Sequence, residues 1–266
     1  MTTYLVTGAG SGIGAALARS LASQGVVLAL VDRGPEHLLR EVAESCRESG
    51  AKVAERTLDV CDAVAMGQFI QEAADIEGRL DFVIANAGLT TEVGADGLSV
   101  DCARELIETN YLGALHTLVP ASKIMQQQGF GGLVAITSIG ALVGTHSSGA
   151  YSASKAALML WTDSLRLRLK DSGVHVTNIV LGFVETPMTQ GLAHAQRFWI
   201  QPDKAAQQII KAVQDGGAIV SIPFLRNSPW WLMRAMPYSV RNALLTRAYR
   251  HFNAEPTADD ILESGF

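Results

Sequence analysis

A tyrosine and a lysine stand four positions apart in the segment YSASKAAL, residues 151–158. On a helix, side chains at this spacing lie on the same face, so the Tyr151 phenol and the Lys155 ammonium would be close together. At about 4 Å and an effective dielectric constant near 20, the cation would favour the phenolate by up to about 4 kcal/mol, on the order of three pKa units. Such a tyrosine could exchange a proton at neutral pH. A pair on the protein surface is the alternative interpretation.

A glycine-rich turn near the start of the chain predicts a dinucleotide site. The segment TGAGSGIG, residues 7–14, follows an apolar run and opens a helical pattern. Gly8 allows the turn, Gly12 lets the backbone approach a pyrophosphate, and Gly14 allows close packing of helix on sheet. The helix N-terminus offers N–H groups to the phosphates, and Asp32, about 20 residues on, can accept hydrogen bonds from the adenosine ribose. A tight turn without a ligand is the alternative.

Asp32 also bears on the choice of dinucleotide. The 2′-phosphate of NADP would bring a charge of about −1.5 to −2 against its carboxylate. Arg33, the next residue, could pair with that phosphate or be a solvated surface charge, and Ser11 in the glycine loop adds no cation. Because we expect the repulsion at Asp32 to dominate, the sequence favours NAD over NADP.

Short apolar runs alternate with longer amphipathic stretches along the chain. The runs predict strands at 4–8, 26–32, 52–60, 81–88, 131–138, 175–182 and 218–223. The stretches predict helices at 12–24, 36–49, 62–77, 102–127, 152–170 and 203–215. Strands that alternate with helices imply right-handed crossovers and a parallel sheet covered on both faces. We therefore expect one doubly wound α/β domain.

Composition disfavours several classes of protein. Of 266 residues, 48% are hydrophobic and the net charge is −5, which argues against disorder and against nucleic acid as the main partner. The three cysteines form no close pair, as is typical of reduced cytoplasmic thiols, and the six histidines show no metal-ligand spacing. The sequence indicates no signal peptide and no membrane-spanning run. We expect a cytoplasmic protein without a metal.

Five motifs in this order resemble the short-chain dehydrogenase/reductase superfamily, over about residues 3–225. They are the glycine loop, NAG at 86–88, Asn110 in ETNYLG, Ser138 in AITSIG and YSASK at 151–155. The resemblance implies a single seven-stranded Rossmann-type domain over residues 1–225 and an NAD(P)-dependent oxidoreductase acting on CH–OH groups. One departure is Leu181-Gly182, where the family usually has Pro-Gly after the sixth strand.

The resemblance also implies a catalytic tetrad. Tyr151 would be the acid and base, while Lys155 would lower its pKa and bind the nicotinamide ribose. Ser138 would hold the substrate oxygen and stabilise developing negative charge. Asn110 would support a water chain from Lys155 to solvent. A non-catalytic, dinucleotide-sensing protein of the same fold is the alternative, because fold does not fix function.

Further positions follow from the motifs and the resemblance together. The predicted cofactor-binding residues are Gly8, Gly10, Ser11, Gly12, Ile13, Gly14, Asp32, Arg33, Asp59, Val60, Asn86, Ala87, Gly88, Tyr151, Lys155, Gly182, Val184 and Thr186. Among them, Asp59 and Val60 would lie against the adenine, and Thr186 would meet the carboxamide.

The resemblance implies a substrate pocket that comprises Gly140, Leu142, His146, Ser148, Phe183, Met188, Leu192, Phe198 and Trp199. The apolar residues within 187–200 favour a secondary alcohol or ketone on a lipid-, steroid- or terpenoid-like skeleton. A small polar carbinol such as a sugar or polyol is the alternative, and these side chains could also merely pack the loop onto the fold. His146 would contact a substrate carbonyl or lie in solvent.

The resemblance implies a homodimer or homotetramer built on the helices at 102–127 and 152–170. The second of these carries two apolar stripes, with Leu158, Trp161 and Leu165 on one and Leu160 and Leu167 on the other. A helix that is apolar on two faces can cover the sheet and a partner at once.

The C-terminal extension, residues 226–266, differs from the rest of the chain. Residues 1–215 carry 16 basic and 22 acidic side chains, yet from Gly216 to Ala254 there are five arginines and no acidic residue. Two short helices separated at Pro237 are expected. The favoured interpretation is a lid on the pocket or a contact with a neighbouring subunit. The alternative is a membrane-interface segment over 226–252, because cationic amphipathic helices with tryptophan bind anionic lipid.

Overall fold

Seven parallel strands form one sheet in the order β3-β2-β1-β4-β5-β6-β7. The computed structural model describes residues 1–90, 99–145, 148–189 and 199–253. The strands are β1 (Thr2–Thr7), β2 (Val26–Asp32), β3 (Lys52–Thr57), β4 (Phe82–Ala85), β5 (Gly131–Ser138), β6 (Val174–Leu181) and β7 (Ile219–Ile222). The predicted doubly wound, seven-stranded α/β fold is confirmed.

Helices cover both faces of this sheet. They are α1 (Gly12–Leu21), α2 (Glu36–Glu48), α3 (Ala63–Asp75), α4 (Val100–Ile107), α5 (Ala114–Gln128), α6 (Gly149–Arg168), α7 (Pro202–Gln214), α8 (Phe224–Ala235) and α9 (Tyr238–Asn253). Helices α1, α2 and α7 bury one apolar cluster against the sheet, and α3, α5 and α6 bury a second on its other face. Central strand residues such as Leu5 and Val6 therefore face apolar clusters on opposite sides, which explains their continuous apolar character.

Two predicted strands end earlier than expected. The strands predicted at 52–60 and 81–88 end at Thr57 and Ala85. Beyond these points the chain leaves the sheet, and residues of both connections line a cleft instead of extending the ladder. Apolar side chains in these connections extended the predicted strands, because a run of apolar residues does not distinguish a strand from a buried loop.

The helix predicted at 102–127 is interrupted. Between α4 and α5 the backbone forms a π-helical turn over Glu108–Gly113, a wider turn that is frequent at functional sites. A Cβ atom at Gly113 would press on the Val60 side chain, so a glycine lets this turn approach the loop after β3. The wider turn contains Asn110, which is completely buried.

Over its described residues, 226–253, the C-terminal extension lies in two helices, α8 and α9, which are separated at Pro237 as predicted. Trp230, Trp231 and Met233 pack against the segment Ile139–Val143, together forming a third apolar cluster. This contact packs α8 beside the segment that directly follows Ser138. No helix in the described part of the chain is both long enough and apolar enough to span a bilayer.

Candidate active site

A cleft of about 310 Å³ opens at the carboxyl ends of β1, β2, β4, β5 and β6. The chain reverses its strand order between β1 and β4, and α/β sheets bind ligands at such a point. Many of the predicted residues line the cleft: Gly8, Ser11, Gly12, Ile13, Asp32, Arg33, Val60, Asn86, Ala87, Gly88, Ser138, Tyr151, Lys155, Gly182, Val184, Thr186 and Met188. The cleft thus joins the glycine loop to the Tyr151–Lys155 pair.

The conformation of the glycine loop requires residues without a Cβ atom. Gly8 has a φ of 67° and Gly12 a φ of 51°, both in the left-handed region that favours glycine. A Cβ atom at Gly14 would overlap the Gly8 carbonyl oxygen. Asn86 donates from Nδ2 to the Thr7 carbonyl at 2.9 Å, which ties the end of β4 to the loop. These contacts hold the start of α1 at the carboxyl ends of the central strands.

Asp32 braces the loop from the end of β2. Its carboxylate accepts hydrogen bonds from the Gly10 N–H at 2.8 Å and the Gly34 N–H at 2.7 Å. The side chain of Ser11, at the N-cap position of α1, makes no capping hydrogen bond within the described residues. The first turn of α1 is therefore a place where an anionic group fits. A carboxylate at one side, a helix N-terminus at the other and a cleft between them fit a dinucleotide.

Arg33 is paired with acidic side chains. Its guanidinium lies 3.3 Å from Asp59 Oδ2 and 3.9 Å from Glu105 Oε1. Partial burial alone would raise the pKa of Asp59, but hydrogen bonds from Cys61 and Arg33 bring that pKa below its usual value. Asp59 thus remains ionised, and two carboxylates offset the charge of Arg33. Asp59 is engaged in this pair and does not itself line the cleft.

Three polar side chains meet at the other end of the cleft. Ser138 ends β5, while Tyr151 and Lys155 lie in the first turns of α6. The Ser138 side chain interacts with the Tyr151 phenol in the sense that lowers the pKa of that phenol. It also accepts from the Gly140 N–H at 3.1 Å, which orients its oxygen. Lys155 is 5% exposed and donates from Nζ to the Ile136 carbonyl at 3.1 Å.

Asn110 lies behind this group and outside the lining of the cleft. Its side-chain amide pairs with the backbone of Leu89, accepting from the N–H at 2.7 Å and donating to the carbonyl at 2.9 Å. It also donates to Ser154 Oγ at 3.0 Å. A Cβ atom at Gly88 would lie 3.0 Å from Asn110 Oδ1 and 3.2 Å from Lys155 Nζ, so this glycine separates the two groups. Asn110 therefore joins the segment after β4 to helix α6.

The segment after β6 closes the cleft over the glycine loop. A Cβ atom at Gly12 would lie 3.2 Å from Thr186 Cγ2. The Thr186 N–H donates to Thr189 Oγ1 at 3.0 Å, and that hydroxyl donates to the Val184 carbonyl at 2.7 Å. These bonds fix the side of Thr186 that faces the loop.

A profile of the short chain dehydrogenase family matches residues 2–197. The chain belongs to the short-chain dehydrogenase/reductase family. Members are NAD(P)-dependent enzymes whose usual reaction is at a CH–OH group, so the protein is an NAD(P)-dependent oxidoreductase. The sequence-based identification of the family is confirmed.

Relatives in two bacterial groups agree with this assignment. An uncharacterized oxidoreductase of Myxococcus xanthus is 35% identical over 246 residues, which covers 92% of this chain and 96% of the relative. An uncharacterized oxidoreductase of Staphylococcus saprophyticus is 33% identical over 211 residues, covering 79% of this chain and 90% of the relative.

Solved structures of short-chain dehydrogenases share the fold. Levodione reductase is 24% identical with a TM-score of 0.76, and the match covers 83% of this chain and 95% of that one. A short chain dehydrogenase from Mycobacterium paratuberculosis bound to NAD is 19% identical with a TM-score of 0.75 and the same coverage. At these identities the likeness establishes the fold alone.

The prediction that the pKa of Tyr151 lies below its ordinary value because of Lys155 is wrong in this structure. Desolvation raises the pKa of the Tyr151 phenol, and the hydrogen bond from Ser138 opposes this increase without cancelling it. Burial also lowers the pKa of Lys155 from 10.5 to about 8. The sequence-based argument counted the attraction between the two groups and omitted the cost of removing each from water.

The structure places the predicted substrate-pocket residues in several different surroundings. Gly140 lies beside Tyr151 and Ser138, and Ser148 Oγ lies 2.9 Å from Ser152 Oγ. Leu142 and Phe183 belong to the third apolar cluster. The exposed Met188 lines the cleft. The carbonyl of Trp199 accepts a hydrogen bond from Arg226. His146, Leu192 and Phe198 lie outside the described residues.

Sequence reasoning missed Asn227, which lies in α8 and is 2% exposed. Its Nδ2 donates to the carbonyls of Val180 and Ile222 at 3.2 and 3.0 Å and to Ser221 Oγ at 3.1 Å. A Cβ atom at Gly182 would overlap Asn227 Oδ1. The extension thus supports the Leu181-Gly182 turn from behind. An amide within a tryptophan-rich segment was the one available signal.

Proposed function

We propose that the protein interconverts a secondary alcohol and a ketone on an apolar skeleton, with NAD(H) as its preferred hydride carrier. The observation that supports this most is the convergence of Ser138, Tyr151 and Lys155 in one cleft with the glycine loop and Asp32. A binding protein without turnover would have no need of a buried lysine and a desolvated phenol at that place, because both are costly to bury.

The residues at the far end of the cleft have distinct proposed roles. The bound nicotinamide supplies the chemistry of accepting or returning a hydride at the substrate carbon. In the alcohol-to-ketone direction, Tyr151 Oη takes the hydroxyl proton, and in the reverse direction it returns a proton to the carbonyl oxygen. Ser138 Oγ holds that oxygen by a hydrogen bond and stabilises its developing charge. Lys155 binds the nicotinamide ribose, and Asn110 positions α6 through Ser154.

The raised pKa of Tyr151 bears on the direction of the reaction. A phenol with a raised pKa stays protonated at neutral pH, which is the state needed to donate a proton to a ketone. Oxidation of the alcohol needs the deprotonated phenol. We therefore expect ketone reduction to be the faster direction at neutral pH, and alcohol oxidation to accelerate as the pH rises.

NAD is the proposed cofactor because of the charges around the adenosine ribose. Asp32 faces this part of the cleft, and Arg33 is already paired with Asp59 and Glu105. A 2′-phosphate would have to displace these carboxylates from Arg33 and approach Asp32 as well. The related structure from Mycobacterium paratuberculosis that holds NAD also supports this choice.

Substitution of Asp32 tests the cofactor proposal. Asp32→Ala removes the carboxylate that would repel a 2′-phosphate, so the ratio of kcat/KM with NADP to that with NAD should rise at least about tenfold, which corresponds to about 1.4 kcal/mol. Asp62→Ala is the matched control, because Asp62 caps α3 and does not line the cleft. The control should leave the ratio unchanged. A wild-type protein that already prefers NADP would refute the proposal before any variant is made.

The proposed substrate class rests on apolar side chains at the reacting end of the cleft. Ile136, Leu181 and Met188 lie there together with Ser138 and Tyr151. Apolar walls with a few polar groups at one point suit an apolar skeleton that carries one oxygen. A sugar or polyol would leave several hydroxyls without partners at those walls.

An assay of NADH absorbance at 340 nm tests the function as a whole. The wild-type protein should be given ketones and alcohols on terpenoid, steroid and fatty skeletons, and sugars and polyols of similar size, with each dinucleotide. We expect turnover with the apolar compounds and a lower kcat/KM with the polar ones. Dinucleotide binding without turnover across the panel would instead indicate a sensing protein. Better turnover of the polar compounds would indicate the alternative substrate class.

A second copy of the chain is the proposed partner through α4, α5 and α6. The inner stripe of α6 is buried at Leu158 and Leu165, whereas Leu160 and Leu167 on its other stripe are exposed. These exposed leucines support a homodimer or homotetramer, and sedimentation of the wild-type protein measures the number of copies. A monomer at all concentrations would contradict this arrangement.

A further inference from the structure

Helix α8 is apolar on two faces, and the fold covers one of them. Trp230, Trp231 and Met233 on its inner face pack against the body of the protein. On its outer face, Phe224 is 67% exposed, Leu225 is 81% exposed and Leu232 is 62% exposed. Large apolar side chains this exposed and this close together mark a surface that binds something.

The next helix also carries exposed apolar residues. Tyr238, Val240 and Leu244 of α9 are all exposed. We call the exposed apolar residues of both helices, with the arginines between and beside them, the extension surface. It comprises Phe224, Leu225, Leu232, Tyr238, Val240 and Leu244 with Arg241, Arg247 and Arg250. The extension surface begins where the seven-stranded sheet ends.

The charge of this surface is of one sign. From Gly216 to Asn253 the sequence contains five arginines and no acidic residue, whereas residues 1–215 carry more acidic than basic side chains. Within the described parts of the chain, no ion pair involves Arg241, Arg247 or Arg250. Arg247 and Arg250 are exposed, and the Arg241 guanidinium carbon lies 5.6 Å from the centroid of the Tyr238 ring.

We propose that the extension surface docks the protein on an anionic lipid bilayer. Exposed apolar side chains would enter the boundary of the acyl chains, and the arginines would meet the anionic headgroups. A second copy fits this surface less well. A symmetric contact would bring the same patch of each copy together, so the arginines of one would face the arginines of the other.

Docking would place the substrate end of the cleft near the bilayer. The inner face of α8 contacts Ile139–Val143, which directly follow Ser138, and Asn227 supports Gly182. A substrate dissolved in the bilayer would thus have a short route to the reacting groups. This consequence rests on the proposed function, whereas bilayer binding itself is measured without turnover and stands or falls separately.

Co-sedimentation of the full chain with vesicles tests the proposal. Vesicles of phosphatidylcholine alone should be compared with an equal mixture of phosphatidylcholine and phosphatidylglycerol. We expect binding to the anionic vesicles at about 0.1 M salt and release at about 1 M, because the Debye length falls from about 10 Å to about 3 Å.

Substitutions should assign the binding to the extension surface. Each of Arg247→Gln and Arg250→Gln should lower the partition coefficient about fivefold, since a basic residue near an anionic surface contributes about 1 kcal/mol. Lys204→Gln, an exposed lysine of α7, is the matched control and should leave it unchanged. Leu225→Glu should abolish binding, whereas Val64→Glu, at a similarly exposed apolar position of α3, should not.

Three results would overturn the proposal. They are no binding of the wild-type protein to anionic vesicles at low salt, equal binding to neutral vesicles, and equal losses in the control variants. If Leu225→Glu instead reduces the oligomer size in solution while no protein sediments with vesicles, the occupant is a second copy. Unchanged thermal unfolding of each variant would show that a loss of binding is not a loss of fold.

Discussion

The two ends of the cleft are built in different ways. At the dinucleotide end, backbone sterics at Gly8, Gly12 and Gly14 and the hydrogen bonds of Asp32 fix the loop. At the substrate end, the support comes from α8, which lies beyond the residues 2–197 that match the family profile. The end of the cleft at which we propose that the dinucleotide binds is thus built within the family profile, whereas α8, beyond that profile, supports the end at which we propose that the substrate binds.

The difference implies that damage at one end should be separable from damage at the other. Substitutions in the glycine loop should affect cofactor affinity first, because they move the start of α1. Substitutions that disturb the support of the Leu181-Gly182 turn should affect substrate affinity first, because they move one wall of the substrate end of the cleft. Substitution of Lys155, which lies where the two ends meet, should show how much the burial of this charged group lowers the stability of the fold.

The largest effect is expected for Gly14→Ala. The added Cβ atom would overlap the Gly8 carbonyl oxygen, so the loop and α1 must move apart. We expect the free energy of unfolding to fall by about 3 kcal/mol or more and cofactor affinity to fall with it. Gly67→Ala in α3 is the control, because a Cβ atom there meets open space and alanine favours the helix by about 1 kcal/mol. Equal effects of the two substitutions on cofactor binding would contradict the account of the loop.

Lys155→Met should stabilise the protein in a pH-dependent way. Burial lowers the pKa of Lys155 from 10.5 to about 8, so the unfolded chain binds more protons than the folded one between these values. The charged lysine therefore costs the fold about 3 kcal/mol near pH 7, and this cost disappears as the pH rises from about 8 to about 10.5.

Denaturant unfolding of Lys155→Met and the wild-type protein at several pH values measures this difference. The stability gained by the variant should be largest near pH 7 and shrink through that window. Lys204→Met, at an exposed lysine, should give no such pH dependence. A Lys155→Met variant that is less stable than the wild type at every pH would show that the lysine is structurally stabilising.

A smaller effect is expected for Asn227→Ala. The substitution removes the donor shared by the Val180 and Ile222 carbonyls and Ser221, which should cost about 2 kcal/mol of stability. We expect KM for the substrate to rise while the dissociation constant for NADH stays within about twofold of the wild type. The control is Ser228→Ala, an exposed neighbour in α8 whose loss should change stability by less than about 0.5 kcal/mol. If NADH binding weakens as much as substrate binding, the two ends of the cleft are not independent.

Most of the fold could be predicted from the sequence because the signals lie within short segments of the chain. Alternating apolar runs predicted all seven strands, and the glycines with Asp32 predicted one end of the cleft. The π-helical turn at Glu108–Gly113 was missed because a shift of backbone hydrogen bonds leaves the spacing of apolar residues nearly unchanged. Asn227 was missed because its contacts lie as many as 47 residues away along the chain.

The electrostatics of the site also escaped the sequence. The spacing of Tyr151 and Lys155 correctly placed both on one turn of α6. The shifts of their pKa values depend on how completely the surrounding strands and loops exclude water, and only the folded structure provides that.

The central claim is that Tyr151 exchanges the proton of the substrate in a cleft that binds the dinucleotide independently. The most direct test is Tyr151→Phe, with turnover followed at 340 nm and NADH binding followed by fluorescence titration on the same preparation. We predict that turnover falls about 10²- to 10⁴-fold while NADH affinity stays within about twofold, because the phenylalanine keeps the ring and removes the proton-transfer group. Turnover within tenfold of the wild type, with NADH still bound, would contradict the claim.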